Sequence, residues 1–211
     1  MRETAFDVTF DSQMIFRSLL DAMARPGSIV VLPDINITSP AMNRYPLLLL
    51  MTLLDHEVSF CVLGHSDANV NVNINQQAVA EYLRSNTGSN ESALRDADFI
   101  LVCEGSSQGL IRRVKLGTLE YPDESATVVY DVCSIGDRGY DGDDLHDEYM
   151  LLELSGPGIA GKCMVAISGM EQAEIEDVLA MRDYPLGIDA ILSDRDGKMA
   201  CIPRSTSLRV M

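Results

Sequence analysis

Two prolines fix the chain beside an arginine, in Arg25-Pro26-Gly27 near the start and in Pro203-Arg204 near the end. Proline stiffens the backbone next to it, and a guanidinium held there is a planar fork for phosphate, phosphonate or carboxylate. With Asp189, the two arginines could surround the phosphate of a nucleotide, as an independent anion-binding transferase would require. The first corner also has a plainer role as a helix stop, with Gly27 free to take a positive φ. Thirteen arginines stand against three lysines, Lys115, Lys162 and Lys198, so arginine-based ion pairing on the surface accounts for many of them.

Other patterns suggest chemistry that their context does not support. Gly156-Pro157-Gly158-Ile159-Ala160-Gly161 matches G-x-G-x-x-G, but that fingerprint must open a helix whose amides hold a pyrophosphate. Here the next residues, 162–167, are strand-like and Pro157 lacks an amide, so the motif reads as a turn between strands. The acidic run 137–148 places Asp137, Asp141, Gly142 and Glu148 where a calcium loop would. Its third position is Gly139, its eighth is Asp144, and its flanks are strands, so it reads as a solvated hairpin loop. His146 sits among those carboxylates as an ion-pair partner. No lysine has the support a Schiff base needs, and no G-x-S-x-G elbow is present. His56 falls where a helix ends. The five cysteines lie thirty or more residues apart in apolar runs, which fits buried reduced thiols and gives no zinc or iron–sulfur spacing.

These residues need elements to position them. Asp11 or Ser12 can cap a helix carrying Phe16, Leu19, Leu20 and Met23 at three- and four-residue spacing. A strand over 28–32, a helix over 44–54 and a strand over 58–63 follow. The Asn-rich segment 69–75 leads into a helix through Ala80 and Leu83. A strand over 98–102 precedes a short basic helix reaching Lys115. Strands over 127–132 and 149–154 flank the acidic loop, another covers 163–167, and Pro185 ends a helix striped by Ile175, Val178 and Leu179. The runs 185–192 and 202–210 flank an Asp194-Arg195-Asp196-Gly197 turn as a hairpin would. Alternation early and strands late give an α/β fold, a three-layer sandwich around a mixed sheet. With no linker or repeat, residues 1–211 read as one domain.

The net charge of −16 argues against non-specific binding to nucleic acid or an anionic membrane. The longest apolar run, 47–54, already contains Thr52 and is far too short to span a bilayer. The first residues, Met1-Arg2-Glu3, lack an apolar signal region, so the expectation is a cytoplasmic protein.

Several blocks, in order and at this length, resemble one narrow family. They are Phe10-Asp11-Ser12-Gln13, Met23-Ala24-Arg25-Pro26-Gly27, Leu53-Leu54-Asp55-His56-Glu57, Gly117-Thr118-Leu119-Glu120-Tyr121-Pro122-Asp123, Ser155-Gly156-Pro157-Gly158-Ile159, Tyr184-Pro185-Leu186-Gly187-Ile188-Asp189 and Ile202-Pro203-Arg204-Ser205-Thr206. The family is the H subunit of the bacterial carbon–phosphorus lyase core complex. The resemblance implies a fold similar to the large domain of pyridoxal-phosphate (PLP) transferases without the cofactor, and a homodimer when isolated. It implies partners in the G, I and J subunits of the core complex, while the sequence itself gives no metal site. It also implies a required part in forming ribose 1-alkylphosphonate 5-triphosphate, and points to Arg25, Gly27, Asp55, Asp189, Pro203 and Arg204 as ligand- or partner-binding residues. Ser85-Asn86-Thr87-Gly88 stands where the family commonly has Phe-His-Thr-Gly, so no catalytic duty falls on Asn86.

Overall fold

The computed structural model describes residues 6–38, 40, 42–64, 76–137 and 149–211. The Asn-rich segment and all of the acidic loop after Asp137, His146 included, lie outside them.

Helix α1 (Phe10–Ala24) already includes both expected caps, Asp11 and Ser12. Asp7 caps it instead, its Oδ1 accepting from the amides of Thr9 and Phe10 at 2.8 and 2.9 Å, and Asp11 reaches back to accept from the Asp7 amide at 2.8 Å. This reciprocal arrangement satisfies amides that a helix start leaves free. A short edge strand β1 (Val30–Val31) follows, then α2 (Arg44–Leu53), whose Asn43 cap accepts from the Tyr45 amide. Strand β2 (Ser59–Leu63), helix α3 (Gln76–Thr87), a two-residue strand β3 (Asn90–Glu91) and β4 (Phe99–Val102) come next. The 85–88 block is the end of α3, where Asn86 Nδ2 donates to the Tyr82 carbonyl and Gly88 takes a φ of 74°.

The expected basic helix is only a 3-10 turn, Leu110–Arg113, and a second 3-10 turn, Cys103–Gly105, caps β4. Strands β5 (Thr127–Asp131), β6 (Ser134–Gly136), β7 (Met150–Ser155) and β8 (Cys163–Ser168) lead to α4 (Gln172–Ala180). Helix α4 stops before Pro185, because 183–186 folds into a separate tight turn. The C-terminal hairpin is β9 (Asp189–Ser193) with β10 (Lys198–Ile202). The run 202–210 is broken at 203–206, and its second half, β11 (Ser207–Val210), crosses to another sheet.

The mixed sheet has seven strands in the order β1-β10-β9-β5-β4-β2-β3. β3, β2, β4, β5 and β9 run parallel, and the late hairpin adds β10 antiparallel, as expected. The other late strands do not join it. They form a separate antiparallel sheet, β11-β7-β8-β6. Strand periodicity explains the need for it. Val128 and Tyr130 of β5 point to one face and Val129 to the other, and all three are buried, as strands covered on both sides require. On one face Leu47, Leu48 and Leu50 of α2, with Ile15 of α1 and Leu83 of α3, cover Leu101, Val129 and Ile191. On the other, Leu152, Leu154, Val165 and Ile167 of the small sheet join Val178 of α4 over Ile100, Val128 and Leu192.

Candidate functional site

Asp189 opens β9 and the 203–206 turn leaves β10, so the hairpin returns both ends to the amino-terminal edge of the parallel strands. There the Arg204 amide and Nε donate to Asp189 Oδ1 at 2.8 and 3.3 Å, and Nη2 donates to Oδ2 at 2.5 Å. Nη1 donates to the carbonyl of Pro122. Both side chains are only 16% exposed. Arg182 supports the same turn, donating to the carbonyls of Ile202, Pro203 and Thr206. Every guanidinium nitrogen of Arg204 therefore has a partner, and a phosphate would reach it only by displacing Asp189.

Arg25 lies elsewhere on this edge, exposed, and pairs with Asp21 one turn earlier on α1. Gly27 donates its amide to the Cys201 carbonyl at 3.2 Å. A Cβ on Gly27 would come within 2.9 Å of Leu154 Cδ1 and 3.0 Å of Cys163 Sγ, so the corner is pressed against the small sheet. The glycine-rich motif is the β7–β8 turn that it was read as. Its glycines let it approach two neighbours: a Cβ on Gly158 would sit 2.3 Å from the Ala24 carbonyl, and one on Gly156 3.1 Å from that of Ser205. The turn thus wedges between the Arg25 corner and the Arg204 turn. Asp55 keeps to its own turn, accepting from the Glu57 amide at 2.8 Å beside an exposed His56.

The carboxyl edge of the parallel strands, where α/β sheets usually hold ligands, carries groups that sequence reasoning missed. Asn43 Nδ2 donates to Asp131 Oδ1 and to the Asp194 carbonyl, both at 2.9 Å, pinning the start of α2 to the ends of β5 and β9. Asp131 is 8% exposed. Burial pushes its carboxyl up to about 6, against the pull of the Asn43 bond and of Arg195, with Glu104 adding to the rise. Glu104 itself has a φ of 55°. Burial likewise pushes the Cys103 thiol up to about 12, with Asp131 and Glu104 adding to it. Burial also raises Cys201 and Cys61, so these three are poor nucleophiles.

A second buried carboxylate lies under α4. Glu174 accepts from the Ser107 amide and hydroxyl at 2.9 and 2.8 Å and from the Tyr130 hydroxyl at 3.1 Å. Beside it Asp177 pairs with Arg112, and a cavity of about 310 Å³ opens between Gln108, Glu171 and Asp177. A larger cavity of about 590 Å³ lies between Glu104, Met170, Gln172 and Val210. Lys115 and Lys162 are committed to Asp98 and Glu153. Among the described residues no three His, Cys, Asp or Glu side chains are arranged to hold a metal ion, and no helix is long and apolar enough to cross a membrane.

The description "Bacterial phosphonate metabolism protein (PhnH)" belongs to the family model that matches residues 4–209. The chain belongs to the PhnH family. A Rhizobium meliloti (strain 1021) relative, the "Alpha-D-ribose 1-methylphosphonate 5-triphosphate synthase subunit PhnH", is 28% identical over 205 residues, 96% of this chain and 92% of the relative. A Stutzerimonas stutzeri relative, the "Putative C-P lyase subunit protein HtxG", is 27% identical over 199 residues, 94% of this chain and 86% of the relative. Four of the blocks through which the chain resembles the PhnH family meet at the amino edge. Arg204 and its neighbours join 117–123, 184–189 and 202–206, and the glycine turn 155–159 is fitted against them.

Proposed function

We propose that this chain is a subunit of the carbon–phosphorus lyase core complex and is required for its coupling step. In that step an alkylphosphonate displaces the base of a nucleoside triphosphate at ribose C1, giving α-D-ribose 1-alkylphosphonate 5-triphosphate and the free base. The observation that carries this reading is the family match across nearly the whole chain, together with the relatives' names as synthase and lyase subunits. The chain's own part is structural, because the arginine best placed to grip a phosphate, Arg204, is fully engaged within the fold. In this reading the chain works in the cytoplasm, is a homodimer when isolated, and joins the G, I and J subunits in the complex. The seven-stranded, mostly parallel mixed sheet flanked by helices supports a likeness to the large domain of PLP-dependent transferases, without their cofactor. The test is to co-express a tagged copy with the G, I and J subunits. A stoichiometric complex that makes the ribose phosphonate only when this chain is present is the expected outcome. A chain that ignores those partners, or that makes the product alone, overturns the reading.

A further inference from the structure

Tight turns usually end in small or polar residues, yet two turns at the amino edge carry large apolar ones at their tips. In the turn 118–121 the Thr118 amide donates to the Tyr121 carbonyl at 3.0 Å, and Leu119 and Tyr121 are left 77% and 51% exposed. In the turn 183–186 Asp183 pairs with Leu186, and Tyr184 is 73% exposed. These tips are firmly held. The Gly187 amide donates to the Leu116 carbonyl at 3.2 Å, tying one loop to the other. Arg204 grips the Pro122 carbonyl on one side, and its Cβ lies against Gly187 on the other. Rigid exposed aromatics at low ordering cost are the anchors that protein interfaces use.

The charges on the two turns themselves are acidic. Glu120, Asp123 and Glu124 flank the first tip and Asp183 the second, all exposed, and neither turn contains a cation. The arginines beneath, Arg182 and Arg204, point inward at carbonyls and at Asp189. A second copy of this chain meeting it through the same face would bring the same carboxylates against these. We propose that the two turn tips form one docking face, on which Leu119, Tyr121 and Tyr184 anchor a basic surface of another subunit of the assembly. The inference rests on the subunit reading above. Opposite charge steers the encounter and the three apolar tips hold it.

The test measures the affinity of the full chain for a purified complex of the G, I and J subunits. Replacing two of the three anchors in one chain, Leu119→Ala with Tyr184→Ala, should weaken binding about 30-fold or more without moving the melting temperature, since both residues are exposed. Glu120→Lys with Glu124→Lys should slow association and flatten its dependence on salt. Failure of the unaltered chain to bind overturns the subunit reading and this inference with it. Binding by the double alanine variant within threefold of the unaltered chain overturns this inference alone. So does loss of binding confined to Phe16→Ser with Leu20→Ser on α1, a helix that also exposes Phe10 and Met14.

Discussion

At the scale of residues, the same side-chain type plays unequal parts. Arg204 and Asp189 form a two-pronged pair at 16% exposure, and removing one partner of such a pair strands a charge largely shielded from water. Arg204→Ala should cost about 3–5 kcal/mol in urea unfolding, whereas Arg25→Ala, on an exposed helix end, should change stability by less than about 0.5 kcal/mol. Equal costs would mean that the fork is not what secures the turn. Asp131 offers a pH test. Burial raises its pKa to about 6, and burial raises Asp194 too, in spite of the backbone amides it accepts from. The folded chain then holds these protons more tightly than the unfolded one. The contribution of Asp131 is full below about pH 4, where the unfolded carboxyl is protonated, and is lost as pH rises through its folded value near 6; Asp194 acts in the same direction. Asp131→Asn removes that loss, since an amide can still accept from Asn43. Unfolding midpoints should show the variant more stable at pH 7.5 by about 1–3 kcal/mol and no better at pH 4. An unchanged gap between the two pH values would contradict the assignment. The sequence made Arg204 conspicuous through Pro203. It could not show Asn43 meeting Asp131, because those residues lie 88 positions apart and only the packing of α2 on the sheet joins them.

At the scale of elements, what the sequence disclosed was what local pattern encodes. The apolar stripe of α1, the four-leucine run of α2 and the short continuous apolar run of β5 each declare an element from neighbouring residues alone. The glycine-rich turn was legible for the same reason: a strand-like run after it ruled out a helix. The short pieces were not legible. β1, β3 and β6 have two or three residues each, too few for any period, and their extended form comes from a neighbouring strand. The partition between sheets was also hidden. Ser207–Val210 looks like a continuation of β10, but Arg182 holds the carbonyls of 202, 203 and 206 in a turn. That turn redirects the chain onto β7, and a contact made by a distant arginine leaves no mark in the local pattern.

At the scale of the whole molecule, the question is whether the small sheet could stand alone. Its inner residues Ile135, Leu152, Leu154, Val165 and Ile167 share a single core with Ile100, Val128, Tyr130, Leu192 and Ile202 of the large sheet. A four-stranded sheet needs a covering layer to be stable, and here the large sheet is that layer. The large sheet in turn would expose the same face if the small one left. The Arg25 corner and the glycine turn lock the two at one edge. We therefore expect the chain to unfold as one unit, in the manner of a single domain. Leu154 is fully buried on β7, and Leu154→Ala should cost about 2–5 kcal/mol. Far-ultraviolet circular dichroism follows the helices, while the tyrosine signal includes Tyr130, buried on the face that the small sheet covers. Both signals should shift to the same lower urea midpoint in the variant. If the helical signal kept its original midpoint while the tyrosine signal moved, the small sheet would be a separable unit and the helices with the large sheet would hold their fold without it.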